Sequence, residues 1–74
     1  MRIERNDVYF AIKSYIEEKH ISPTIRELCE IVGKSSPATI HYHLKNLKRD
    51  GYIDYDETKR RTIRIVKEIE DNGK

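Results

Sequence analysis

Apolar residues recur at helical spacing three times along this chain, then alternate twice. Val8, Ala11, Ile12, Tyr15 and Ile16 form the first stripe and predict a helix from roughly Glu4 to Lys19. Glu17, Glu18 and Lys19 face water, and His20 is the expected stop, since His tolerates positive φ better than most residues. Pro23 disfavours α geometry at Ser22, so residues 21–23 read as an extended connector. A second helix opens with Thr24 as cap and Glu27 reaching back to it. Ile25, Leu28, Ile31 and Val32 make its stripe, Cys29 lies near the core as a small hydrophobe, and Gly33 ends the helix in the left-handed region. A third helix starts at the N-cap Ser36 with Pro37 in the first turn. Ile40, Leu44 and Leu47 form its inner stripe, with His43 at the edge, and Gly51 closes it. Two β-rich segments, Tyr52–Tyr55 and Thr62–Val66, flank a polar turn at Asp56–Arg61.

The order is helix, helix–Gly–helix, hairpin. It predicts a mainly α fold with a small β-hairpin: a winged helix-turn-helix of three helices plus a two- to three-stranded wing. The expected domain covers residues 1–66, with a polar tail or the start of a linker at 67–74.

At 100° per residue, Ala38, Tyr42, Lys45 and Arg49 fall opposite the inner stripe of the third helix. Thr39 and Asn46 flank them on one side, His41 and Lys48 on the other. A polar and basic outer face of this kind suits the major groove of duplex DNA. Charge changes the picture modestly. The net +2 conceals a +4 segment at residues 34–64, with eight Lys/Arg against four Asp/Glu, whereas residues 1–33 and 65–74 are each at −1. The basic excess thus coincides with the outer face and with the Lys59-Arg60-Arg61 hairpin tip, and corresponds to about four to six phosphate contacts. Charge alone favours an ordinary solvated face. The conjunction of capped helices, tight turn and basic hairpin favours the nucleic-acid surface.

The remaining chemistry is sparse. Cys29 is the only cysteine, which rules out an internal disulfide and suits a reducing cytoplasm. The longest apolar run, Val8 to Ile12, is too short for a membrane span or signal peptide. His41 and His43 diverge on a helix and cannot share a metal, no Gly-rich phosphate loop is present, and Ser35-Ser36-Pro37 reads as capping or phosphate contact rather than a nucleophile. No enzyme, metal site or cofactor is expected.

From about Arg5 to Val66 the sequence resembles the N-terminal DNA-binding domain of the LexA repressors. The likeness rests on Ser22-Pro23-Thr24-Ile25-Arg26-Glu27-Leu28, Val32-Gly33, Ser35 to Leu44, Asp50-Gly51-Tyr52-Ile53, and the wing segment from Asp56 to Ile63. Two departures are His20 for a frequent glycine and Ser22-Pro23 for Pro-Pro, neither of which threatens the fold. The resemblance implies a repressor that binds palindromic operators of DNA-damage-response (SOS) genes, two copies per site, in a prokaryotic cytoplasm. It implies base reading by Ser36, Ala38, Thr39, His41 and Tyr42, with backbone or minor-groove contact from Lys59, Arg60 and Arg61. Ser35, Lys45 and Arg49 complete the expected DNA-binding set. The family's C-terminal peptidase domain, with its Ser/Lys dyad, self-cleavage site and main dimer contacts, has no counterpart in these 74 residues. A monomer or weak dimer is therefore expected without DNA. A standalone regulator of a phage, plasmid or mobile element is the alternative. A protein-interaction module is disfavoured by the polar outer face.

Overall fold

The computed structural model describes residues 3–33 and 35–69. It contains three helices, α1 (Arg5–Lys19), α2 (Ile25–Ile31) and α3 (Pro37–Arg49), then two short strands, β1 (Ile53–Asp54) and β2 (Arg64–Ile65). The strands pair antiparallel, Ile53 opposite Ile65 and Asp54 opposite Arg64. This is the expected winged helix-turn-helix, with two strands in the wing.

The predicted boundaries follow from local chemistry. Asp7 accepts a hydrogen bond from the Glu4 backbone N–H at 3.0 Å, opening α1. His20 ends it at φ 63°, its N–H donating to the Ile16 carbonyl at 2.8 Å. The Thr24–Glu27 capping box is complete: Glu27 accepts from the Thr24 N–H at 2.9 Å and Thr24 Oγ1 from the Glu27 N–H at 3.2 Å. Gly33 and Gly51 follow α2 and α3 at φ 96° and 86°, where a side chain would strain the backbone. A Cβ at Gly33 would meet only Ile3 Cδ1, at 3.8 Å, so the demand is conformational rather than steric.

The core joins the three helices, β1 and the residue just before β2, with Ile65 of β2 partly buried against it. Val8, Tyr9 and Ile12 meet Leu28 and Cys29, Ile40, Leu44 and Leu47, and Ile53 and Ile63. The inner stripe of α3 is fully buried, as its periodicity predicts. Two apolar assignments need correction. Ile31 is half exposed rather than part of the α2 stripe. It sits about 60° beyond Leu28 on the side away from Cys29, at the end of a seven-residue helix. Tyr9, outside the predicted α1 stripe, is fully buried. Chain returning from β2 covers it: its hydroxyl donates to the Lys67 carbonyl and accepts from the Ile69 N–H, both at 3.2 Å. The strands are also shorter than the β-rich segments from which they were predicted. The expected polar tail falls outside the described residues from position 70 onward. No described helix is long and apolar enough to cross a membrane.

Candidate nucleic-acid interface

The helix-turn-helix is built so that α3 is fixed from below and open above. Its inner residues bind it to α1 and α2, and its caps set where it starts. Ser36 Oγ accepts from the Thr39 N–H at 3.3 Å and lies 3.1 Å from Thr39 Oγ1, which holds the Thr39 side chain at the helix start. Ser35 is anchored by its backbone, donating to the Cys29 carbonyl at 2.9 Å.

The outer face matches the helical projection. Ser36, Ala38, His41, Tyr42, Lys45 and Arg49 are exposed, while Ser35, Thr39 and Asn46 are half-buried. Tyr42 keeps 65% of its surface in solvent, a large exposure for an aromatic ring. It forms an edge-type pair with the His43 ring, centroids 5.4 Å apart, so its stance above the surface is supported from one side.

The cations divide into engaged and free. Arg49 Nε donates to Asp50 Oδ1 at 3.1 Å, and Asp50 also pairs with Arg5 of α1. The Arg5 and Arg49 hydrogen bonds hold the Asp50 carboxyl below its ordinary value. Lys48 turns into the wing, donating to the Tyr55 carbonyl at 2.9 Å over the Tyr55 ring. It thus braces the wing against α3 instead of flanking the outer face. By contrast, Arg26, Lys45, Lys59 and Arg60 have no carboxylate within 4 Å among the described residues.

The wing tip has its own internal order. Asp56 accepts from the Thr58 N–H at 2.9 Å and the Thr58 hydroxyl at 2.7 Å, bonds that lower its carboxyl pKa. Thr62 Oγ1 closes the loop, accepting from the Asp56 N–H at 2.9 Å. Lys59 and Arg60 project from this turn into solvent. Arg61 does not: its guanidinium folds back onto Glu27 and the Ser22 carbonyl.

Between wing and helices runs a groove of about 360 Å³. Arg26, His41 and Lys45 line one wall, and the chain from Tyr55 to Arg61 the other. Arg26 was not among the residues expected to meet DNA. The available clue is its place in the first turn of α2, where the helix dipole disfavours a cation unless an external anion offsets it. The structure brings the expected basic set to the walls of this groove and the α3 face beside it, with the Arg61 guanidinium turned onto Glu27 and the Ser22 carbonyl.

Comparison with known proteins agrees with this geometry. The LexA DNA binding domain family matches residues 4–62. A LexA repressor of Carboxydothermus hydrogenoformans is 51% identical over 57 residues, covering 77% of this chain and 28% of the relative. A LexA repressor of Clostridium botulinum is 46% identical over 63 residues, covering 85% of this chain and 31% of the relative. One of Clostridium kluyveri is 42% identical over 62 residues, covering 84% and 31%. The chain thus spans under a third of the length of these relatives. By fold and by sequence, the chain belongs to the LexA DNA binding domain family.

Proposed function

We propose that this chain is the operator-reading module of a LexA-type transcriptional repressor, inserting α3 into the major groove of duplex DNA. The observation that carries this reading is the exposed, polar face of α3 standing beside four cations around one groove that have no carboxylate partner among the described residues. Small and polar side chains at the start of α3 let the helix approach base edges, and cations at the rims meet phosphates. Ser36, Ala38, Thr39, His41 and Tyr42 read bases. Ser35, Arg26, Lys45, Arg49, Lys59 and Arg60 hold the backbone, with Arg49 exchanging its Asp50 contact for a phosphate. The folded module extends past Val66 to Ile69, which packs on the core and is tied with Lys67 to the Tyr9 hydroxyl.

The natural site is a palindrome occupied by two copies, each taking one half-site. Most large apolar residues of the described chain are committed to the core, and those left exposed, Ile21, Ile31, Tyr42 and Val66, are too few for the roughly 2,000 Å² that an obligate dimer buries. The free domain is therefore a monomer that pairs on DNA. Sedimentation at tens of micromolar, with and without a palindromic duplex, tests that assembly, and a stable dimer without DNA refutes it. Selection of bound duplexes from genomic DNA tests the function. Enrichment of damage-response operators supports the SOS role. Enrichment of an unrelated palindrome assigns a different regulon, and no enrichment over random sequence refutes operator reading.

A further inference from the structure

Lys59, Arg60 and Arg61 form one basic triplet in the sequence, but the structure separates the third from the first two. The residues between β1 and β2, 55–63, are held by a ladder only two residues long on each side. So short a hairpin is marginal by itself and cannot orient its tip. Lys48 of α3 braces its near side at Tyr55, and α2 holds its far side. Arg61 adopts φ 54°, a left-handed conformation that side-chain-bearing residues avoid and that persists where surrounding contacts enforce it. From there its guanidinium forks onto Glu27, Nη1 to Oε1 at 3.2 Å and Nη2 to Oε2 at 3.0 Å. Nη1 also donates to the Ser22 carbonyl at 2.9 Å. The Ile63 N–H donates to Ser22 Oγ at 3.0 Å, a second stitch at the same place. One carboxylate, Glu27, therefore both caps α2 and anchors the wing.

We propose that Arg61 is a positioning residue, locking the wing to the start of α2 through Glu27 and Ser22, and that it governs DNA affinity through where it holds Lys59 and Arg60 rather than through a phosphate of its own. This rests on the DNA-binding reading above. It makes Glu27, a carboxylate beside a DNA-binding groove, a contributor to binding. Simple charge counting gives the opposite sign, because removing an anion there should tighten the complex.

The test uses three variants, Glu27→Gln, Arg61→Lys and the double change. Glutamine keeps the capping box but loses the charged fork, and lysine keeps the charge but cannot bridge both carboxylate oxygens. Binding to a selected duplex and to a random duplex is measured by fluorescence anisotropy. Both single variants should weaken both complexes about fivefold or more, and the double variant should be no weaker than either single. Amide exchange without DNA is the second readout. Protection at the Ile63 N–H should fall in both single variants while that at Leu44 stays unchanged. Near-native affinity for Arg61→Lys together with tighter binding for Glu27→Gln would make Arg61 a phosphate ligand and overturn the proposal. So would undiminished protection at Ile63 in both variants. If the unmodified chain shows no salt-dependent DNA binding, the functional reading fails, and exchange at Ile63 still decides the anchor.

Discussion

Replacing Arg60 with alanine removes one exposed cation from the wing tip and no described ion pair or hydrogen bond. Its effect on binding can be worked from the charge inventory. Among the described residues Arg26, Lys45, Lys59 and Arg60 have no carboxylate partner, whereas Lys48, Arg49 and Arg61 are engaged. Each phosphate neutralised on B-DNA contributes about −0.9 to the slope of log affinity against log salt. Four free cations give a slope of about −3.6, the shallow end of the range implied by four to six contacts, because engaged cations release fewer counterions. Raising salt from about 50 to about 200 mM should then weaken binding roughly 150-fold. Arg60→Ala should reduce the slope to about −2.7. Its deficit should be about 15-fold at 50 mM, about eightfold at 100 mM and about fourfold at 200 mM, converging towards molar salt. Because the proposed contact is to the backbone, selected and random duplexes should lose alike. Anisotropy titrations across that range measure all of this. A deficit independent of salt would show that Arg60 acts through something other than a phosphate. No deficit would mean that the wing does not meet the backbone, and a loss confined to the selected duplex would make Arg60 a base reader.

Three further outcomes are expected. Tyr42→Ala should cost about 1–3 kcal/mol on the selected duplex and leave random affinity unchanged, since the ring is exposed on the face proposed to read base edges; equal losses in the same titrations would refute base reading. Leu44→Ala should cost about 3–5 kcal/mol, comparable to the whole stability of a domain this small, so far-UV circular dichroism at 25 °C should show a largely unfolded chain; a transition close to that of the unmodified chain would refute its place in the core. Glu27 is held down to about 2, first by the Thr24 backbone hydrogen bond and then by Arg61, so its folded value lies below its unfolded one. Its stabilisation is therefore present at neutral pH and lost as pH falls from about 4.5 to about 2. Urea unfolding should show a shallower acid decline for Glu27→Gln over that window, and superimposable declines would refute the linkage.

Local rules carried much of this structure. The capping box at Thr24 and Glu27, the Ser36-Pro37 start, the left-handed His20 and the glycines after α2 and α3 all depend on contacts within a few residues, so the sequence shows them directly. The inner stripe of α3 and its opposite polar face follow from helical geometry alone. What resisted reading is what depends on contacts between residues far apart in the chain. Tyr9 looks like one more α1 side chain until chain after β2 arrives to satisfy its hydroxyl. Lys48 sits where an outer-face lysine would sit, yet Tyr55 is close enough to draw it inward. Arg60 and Arg61 are neighbours of the same type, and only the approach of α2 to the wing separates a free cation from an anchored one. Periodicity and capping determined which elements form and which way they face. Tertiary packing decided which charges remain free, because a side chain's partner is set by what the fold brings within hydrogen-bond reach.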